Sequence, residues 1–182
     1  MIVVTLGTIP YPFERAVGWI SELIRLKVIS ESVFIQHGVT NIDPLLRHRL
    51  VTASPIVESD RFIDLIDQAS LVISHAGQGS TRLLAERRAS FVLLPRLAQY
   101  REHIDDHQLF FAKSVKNSGV GYCSDIGELA SAVSNPPPRF DKRLFEEASL
   151  VEHLVKAYPG QPQATNVRQR KELIGAVAQV NP

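Results

Sequence analysis

The chain has 182 residues, of which 45% are hydrophobic, and it carries a formal net charge of +1. This composition predicts one compact domain with a tail. The near-neutral charge excludes the basic surface typical of a nucleic-acid-binding protein, and the single cysteine, Cys123, excludes an internal disulfide and a Cys-cluster metal site. No apolar run reaches the length of about 20 residues that a membrane span needs, and no signal peptide is expected.

The predicted elements alternate between strands and helices along the chain. Apolar, β-branched runs predict strands at 2–6, 32–36, 50–57, 71–73, 91–94 and 120–123, with a break at Pro55 in the third. Apolar residues at helical spacing predict helices at 13–27, 59–69, from the turn after the fourth strand to about 88, 103–117 and 126–133. Residues 39–49 give no clear pattern. This alternation predicts an α/β fold, a Rossmann-like parallel sheet with helices on both faces.

The composition divides the chain into four parts. Residues 1–134 form the Rossmann-like domain, and the Pro-rich residues 135–139 form a stiff linker. The apolar spacing within residues 140–158 predicts a C-terminal helix that packs either on the domain or on a partner. Residues 159–182 form a polar tail, for which disorder and a partner-binding or membrane-surface helix are the alternatives.

A glycine-rich turn separates the fourth predicted strand from the helix that follows it. Its sequence is Ser74-His75-Ala76-Gly77-Gln78-Gly79-Ser80-Thr81. Backbone N–H groups at such a helix N-terminus favour an anion such as phosphate, and an ordinary βα turn with a Ser cap is the alternative. The turn lacks the third glycine of the dinucleotide fingerprint and the lysine of a P-loop. Because ligands bind at the carboxyl edge of parallel sheets, this turn is a candidate site.

A second polar stretch is Glu102-His103-Ile104-Asp105-Asp106-His107-Gln108, predicted at the start of a helix. Carboxylates in a first turn interact favourably with the helix dipole, which accounts for one acid of the set. At helical spacing His103 and His107 share a face while Asp105 and Asp106 point elsewhere, so a metal site is not expected. Clustered short polar groups are suited to hydrogen-bonding the hydroxyls of a sugar.

Four motifs occur in order along the chain. They are Val4-Thr5-Leu6-Gly7-Thr8, Gln36-His37-Gly38, the glycine-rich turn, and Pro95-Arg96 followed by residues 102–108. Together they resemble the donor-binding half of GT-B glycosyltransferases of family 28. Over about residues 1–133 the sequence is similar to the small catalytic subunit of two-component UDP-sugar transferases, which include dolichol-linked GlcNAc transferases and bacterial exopolysaccharide glucuronosyl- and galactosyltransferases. The resemblance implies a single half of a GT-B fold.

The resemblance also implies site residues. The donor pyrophosphate would lie on the glycine-rich turn, the nucleobase near the second strand, and the sugar near residues 102–108. The implied donor-binding residues are Gly7, Thr8, His37, Gly38, Gly77, Gln78, Gly79, Ser80, Glu102, His103, Asp105, Asp106, His107 and Gln108. The implied catalytic residues are His75, His107 and Gln108. The general base is His37, His75 or His107, or it is supplied by a partner.

The sequence departs from the family pattern at two places. Leu83 stands where a glutamate usually binds the ribose hydroxyls, and Arg88-Ala89-Ser90 replaces the usual Gly-Lys-Pro. The lost glutamate favours an alternative, a non-catalytic regulatory or binding subunit that retains the fold. Another nucleotide-dependent α/β enzyme, such as a phosphate-sugar epimerase, is a third alternative, against which stands the absence of a nicotinamide or Walker signature.

The reaction implied by the resemblance is inverting transfer of a sugar from a UDP-sugar to a lipid-linked acceptor in polysaccharide or glycolipid biosynthesis. A helix N-terminus can stabilise the leaving diphosphate, so neither a metal nor another cofactor is expected. A complete GT-B enzyme has two such domains with the active site between them. The resemblance therefore implies a membrane-anchored, acceptor-binding partner subunit that recruits this cytoplasmic chain to the inner face of the membrane.

Overall fold

A six-stranded sheet forms the centre of residues 1–144, the part of the chain that the computed structural model describes. Its strands are β1 (Ile2–Thr5), β2 (Val33–Gln36), β3 (Val51–Ser54), β4 (Leu71–His75), β5 (Phe91–Leu94) and β6 (Gly121–Tyr122). They run parallel in the order β3-β2-β1-β4-β5-β6. This is the strand order of a Rossmann-like sheet, and its switch point lies between β1 and β4.

Helices cover the sheet on both faces. They are α1 (Glu14–Arg25), α2 (Asp43–Leu46), α3 (Ser59–Gln68), α4 (Gln78–Glu86), α5 (His107–Lys116) and α6 (Ile126–Ser134), with a 3-10 turn at Ala98–Tyr100. Apolar residues of α1 and α6 pack on the face that carries Val4 and Ile73. Those of α3, α4 and α5 pack on the face that carries Val3 and Val72. The predicted Rossmann-like α/β fold is therefore confirmed.

Two predicted boundaries are wrong, each for a local reason. The helix predicted from His103 begins at His107, because the carboxylates of Glu102 and Asp106 accept hydrogen bonds from the backbone of the preceding loop. The strand predicted over residues 50–57, with a break at Pro55, does not resume after the break and ends at Ser54, since Pro55 has no N–H to donate to a neighbouring strand. Residues 39–49, for which no element was predicted, contain the short helix α2.

The Pro-rich segment after α6 lies against the domain. Ser90 Oγ donates to Pro137 O at 2.5 Å, and the N–H of Phe140 donates to Ala89 O at 3.0 Å. The Phe140 ring is buried beside Phe91. Residues 140–144 are not helical, so the helix predicted over 140–158 does not begin at 140. The rest of that helix and the tail at 159–182 lie outside the described residues.

Residues 1–144 contain no helix that is both long and apolar enough to cross a membrane.

Candidate functional site

A cavity of about 250 Å³ opens at the carboxyl edge of the sheet, at the switch point between β1 and β4. Its polar side is formed by the loop after β1 and by the turn after β4, and its apolar wall by the loop after β3 together with α3. The lining residues are Thr5, Gly7, Thr8, Ile9, Gln36, Ile56, Val57, Phe62, His75 and Ser80. The fold thus brings together residues from the first three predicted motifs, the second of them represented by Gln36.

A buried amide holds the loop after β1 in place. Gln36 Oε1 accepts from Thr5 Oγ1 at 2.8 Å and from the N–H of Gly7 at 3.2 Å. Its Nε2 donates to Gly7 O at 3.1 Å and to Pro55 O at 3.0 Å. Gly7 has a φ of +81°, a conformation that strongly favours glycine. The side chain of Gln36 therefore fixes the backbone that lines one side of the cavity.

His37 and Gly38 lie behind this loop and do not line the cavity. A Cβ added at Gly38 would clash with Gly7 O, so the glycine is what lets the loops after β1 and β2 touch. His37 Nδ1 donates to Thr40 O at 2.9 Å. Both residues contact the backbone of neighbouring loops, and neither lines the cavity. The nucleobase contact implied for them stays a prediction.

The His75 ring lies between the two glycine loops. A Cβ at Gly7 would come within 3.0 Å of this ring, and a Cβ at Gly77 within 2.5 Å of its Nε2. His75 Nδ1 is 3.3 Å from Thr5 O; because a carbonyl only accepts, Nδ1 carries the proton and Nε2 keeps a lone pair. Burial lowers the pKa of His75 to about 4, the Thr5 hydrogen bond opposes that shift, and the Arg96 charge adds to it. His75 is therefore neutral at physiological pH.

The turn after β4 leaves backbone donors free. Gly77 is the N-cap of α4, and no side chain caps the helix, so the Ser cap of the alternative reading is absent. Thr81 Oγ1 donates to Gly77 O at 2.8 Å. Within residues 1–144, the N–H groups of Gln78, Gly79 and Ser80 have no hydrogen-bond partner. Three unpaired donors and the positive end of a helix dipole lie at the start of α4, where Ser80 lines the cavity, a combination that binds anions.

Glu102, Asp106 and Gln108 hold the loop after β5 through hydrogen bonds to its backbone. Glu102 is buried and forms a bidentate ion pair with Arg15, at 2.9 and 2.7 Å, while also accepting from the N–H of Leu97 at 2.9 Å. Asp106 Oδ1 accepts from the N–H of Ala98 at 2.8 Å. The buried Gln108 accepts the N–H of Arg96 through Oε1 at 3.2 Å.

The remaining polar residues of that loop, His103, Asp105 and His107, form a largely exposed cluster, in which Asp105 and His107 are exposed and His103 is partly buried. Asp105 Oδ1 lies 2.5 Å from His107 Nδ1 and 3.5 Å from His103 Nδ1, and the two imidazole centroids are 4.3 Å apart. Hydrogen bonds from the backbone and ring of His107 lower the pKa of Asp105. Burial and the neighbouring His107 lower the pKa of His103.

The three side chains of this cluster could hold a metal ion, since one ligand atom of each lies within 4.8 Å of the others. The helical spacing that argued against such a grouping does not apply, because residues 103–106 are not helical. The cluster does not line the cavity, but it borders the loop after β1, where His103 stacks on Tyr11 at a centroid distance of 5.5 Å.

Several residues that shape the site carried no assigned role in the sequence. The apolar wall comes from Ile56, Val57 and Phe62. Ile56 is 68% exposed, which is unusual for isoleucine. Most of the other residues that line the cavity are distant in sequence, so no local pattern marked Ile56 as part of a site. Arg15 lies on an amphipathic helix, where an arginine is usually solvated, so nothing marked its buried pairing with Glu102.

The strand order, the glycine-rich turn at the switch point and the free helix N-terminus define a nucleotide-binding type of α/β domain. Residues 1–137 match the glycosyltransferase family 28 C-terminal domain, and the chain belongs to this family. The predicted resemblance is therefore confirmed. A comparison with curated protein sequences finds no match.

The solved structures that resemble this chain are GT-B glycosyltransferases. The glycosyltransferase SnogD from Streptomyces nogalater is 15% identical, with a TM-score of 0.52 over 74% of this chain and 34% of that one. The glycotransferase of kitacinnamycin is 18% identical, with a TM-score of 0.56 over 85% of this chain and 37% of that one. At this identity the likeness concerns the fold. The chain matches about a third of the length of each of these proteins.

Proposed function

We propose that the chain is the donor-binding, catalytic subunit of a two-component inverting glycosyltransferase that uses a UDP-sugar. One observation carries the proposal: three N–H groups at the start of α4 are unpaired, and one of them belongs to Ser80, which lines the cavity at the switch point. Membership of a glycosyltransferase family supports it. The donor pyrophosphate would bind these N–H groups, and the same donors would stabilise the charge that develops on the leaving diphosphate. No metal is needed for this role.

The nucleobase would lie against the apolar wall of the cavity. Ile56, Val57 and Phe62 contribute non-polar side chains to the lining of the same cavity as His75 and the polar loops. Such a surface suits a planar base, while backbone groups nearby supply the polar contacts. This placement differs from the one implied for His37 and Gly38, which lie behind the cavity.

The donor sugar would extend towards the exposed cluster of His103, Asp105 and His107. Tyr11 joins this cluster to the loop after β1 through its stacking on His103. His107 is the general-base candidate with an orienting carboxylate, since Asp105 fixes its Nδ1 and leaves Nε2 directed elsewhere. His75 is a weaker base because its pKa is about 4, and its Nε2 would serve as a hydrogen-bond acceptor. A base from the partner subunit remains the alternative.

The partner would be a membrane-anchored, acceptor-binding subunit that carries a lipid-linked acceptor and recruits this chain to the inner face of the membrane. The support is a set of exposed apolar residues in the loops after β2, β3 and β5, all on the edge that carries the cavity. They are Val39, Ile56, Tyr100 and Ile104.

A second candidate function is a non-catalytic regulatory subunit. Leu83, which stands where the family usually has a ribose-binding glutamate, is partly buried and packs against the core beneath α4. A leucine there offers no acceptor for a ribose hydroxyl. Activity of the reconstituted pair with Gly79→Ala distinguishes the two functions: unchanged turnover favours the regulatory one, because the donor pyrophosphate would then not lie at the start of α4. Gln108→Ala is less suitable, because Gln108 accepts the backbone N–H of Arg96 and its removal would leave that group unpaired.

The direct test is a calorimetric titration of the full chain with UDP in the presence of EDTA. We expect binding, and we expect Gly79→Ala to weaken it about tenfold, since a methyl group there would occupy space used by the pyrophosphate. Gly18→Ala in α1 is the matched control, because a Cβ at either glycine meets no protein atom within 4 Å. Absence of UDP binding, or an equal effect of both variants, would contradict the proposal.

A further inference from the structure

Arg96 is the largest of the fully buried side chains in the described part of the chain, with 1% exposure. Its Nη2 donates to Leu6 O at 2.7 Å. Its Nη1 donates to Tyr11 O at 2.7 Å, to Glu102 O at 3.0 Å and to Pro12 O at 3.3 Å. The guanidinium also lies over a phenylalanine ring, with 4.6 Å from Cζ to the Phe13 centroid. One side chain thus binds four carbonyl groups.

These carbonyls belong to the two loops that the proposed donor would touch. Leu6 and Tyr11 lie at the two ends of the loop that carries Gly7 and Thr8 into the cavity. Glu102 begins the loop that carries the histidine cluster. Arg96 itself follows β5, and its backbone N–H donates to Gln108 at the start of α5. The guanidinium therefore links the cavity loop to the loop of the exposed cluster.

This arrangement is costly for the stability of the fold. Arg96 has no salt bridge within residues 1–144, and its Nε is the buried side-chain polar atom there that lacks a hydrogen-bond partner. Burial lowers the pKa of Arg96 to about 10, and the nearby Glu102 opposes the shift, so the group remains charged at neutral pH. A buried cation on neutral acceptors contributes little net stability, whereas it fixes the relative position of the groups that it binds.

We infer that Arg96 is a positioning residue that sets the histidine-cluster loop against the cavity and thereby determines the preference for a UDP-sugar over UDP. The inference rests on the proposed function. UDP itself would contact the α4 N-terminus and the apolar wall, neither of which Arg96 touches, and Gly7 would stay bound to Gln36. Loss of Arg96 should therefore weaken the contribution of the sugar to the donor's affinity much more than the contribution of the nucleotide.

The test compares the full chain with Arg96→Met and Arg96→Lys. Calorimetry with UDP, UDP-glucose, UDP-galactose, UDP-glucuronate and UDP-GlcNAc first defines the preferred sugar of the wild type. For Arg96→Met we expect UDP affinity to change by less than about threefold and the preference for the UDP-sugar to fall about tenfold. Arg96→Lys keeps the charge but cannot span both loops, so it should retain part of the preference.

Leu129→Ala is the control for a purely structural effect. Leu129 is fully buried in α6 and contributes to the core on one face of the sheet, so its truncation lowers stability without altering the linked loops. We expect this variant to keep the wild-type ratio of UDP-sugar to UDP affinity. An equal loss of preference in Leu129→Ala and in an Arg96 variant of similar stability would overturn the inference.

Amide hydrogen exchange without ligand tests the positioning directly. Arg96→Met should exchange faster than wild type in residues 8–11 and 97–106, with Gly7 and β2 unchanged; unchanged exchange in these loops would overturn the inference. If circular dichroism shows that Arg96→Met does not fold, amide exchange and the two affinities are compared between wild type and Arg96→Lys instead. Failure of the wild type to bind UDP would refute the proposed function, and the exchange measurement would still judge the role of Arg96.

Discussion

The glycine-rich turn before α4 and the loop before α5 lie at the same edge of the sheet, yet they use their polar groups in opposite ways. In the turn, the side chains leave the N–H groups of Gln78, Gly79 and Ser80 unpaired. In the loop, Glu102 and Asp106 bind the backbone of residues 97 and 98. The turn therefore offers backbone donors to a ligand, whereas much of the loop's polar content stabilises the protein itself.

This difference teaches that polar composition alone does not locate a ligand. A carboxylate that already accepts good hydrogen bonds in a buried position has little left to offer, and removing it leaves donors unpaired. A glycine-rich helix start, by contrast, has donors that no residue of its own sequence can satisfy. The comparison predicts that changes in the loop affect stability and that changes in the turn affect binding.

The largest expected effect is that of Glu102→Ala. It leaves the buried Arg15 without its ion-pair partner and Leu97 without an acceptor. We expect the free energy of unfolding to fall by about 4 kcal/mol in urea denaturation. Glu22→Ala is the control, since Glu22 pairs with Arg25 on the exposed surface of α1 and its removal should cause no measurable change. Equal effects of the two variants would mean that Glu102 is not structural.

Gly77→Ala should have the next largest effect. The new Cβ would lie 2.5 Å from His75 Nε2, so the ring or the turn must move. We expect a loss of about 2 kcal/mol in the free energy of unfolding, together with weaker UDP binding. In a His75→Ala background the same substitution should cost less, because the clashing ring is absent. Unfolding of both single variants and the double variant in urea measures this coupling; simple additivity would contradict the predicted contact.

A smaller effect is expected from pH through His75. Its pKa in the folded chain is about 4, below the ordinary value of 6.5, so the unfolded chain binds a proton that the folded chain does not. The stability is complete above the ordinary pKa and is lost as the pH falls towards 4. Between pH 7 and pH 5.5 we expect the free energy of unfolding to fall by about 1 kcal/mol more in wild type than in His75→Asn. Parallel pH profiles of the two proteins would refute the prediction.

The fold was predictable because its signals are local. β1, β2, β4 and β5 are short apolar runs, and the residues between them repeat at helical spacing. The position of Gly7, Thr8, His75 and Ser80 around one cavity follows from the same signals, because parallel strands place their carboxyl ends at one edge. The membership of these residues in a donor site stays a prediction.

The rest depends on contacts between residues that are distant in sequence. Glu102 pairs with Arg15, 87 positions away, and Arg96 binds Leu6, 90 positions away. No periodicity reports such pairs, so the sequence alone could not show that Glu102 pairs with Arg15 on α1, and the donor contact implied for Glu102 stays a prediction. Helical spacing also predicted that Asp105 points away from His103 and His107. It does not, because the carboxylates of Glu102 and Asp106 hold this loop outside the helix.

The smallest expected effect on stability, that of Asp105→Asn, tests the comparison within the loop itself. Asp105 is 57% exposed, and its Oδ1 accepts from the N–H of His107 at 3.1 Å. Asparagine keeps this size and acceptor, so urea denaturation should show no change, in contrast to Glu102→Ala. The charge that orients the His107 ring is lost, however, so calorimetry should show weaker binding of the preferred UDP-sugar and unchanged binding of UDP. A loss of stability close to that of Glu102→Ala would mean that both Glu102 and Asp105 are structural. The predicted difference between the buried and the exposed acid of the loop would then be wrong.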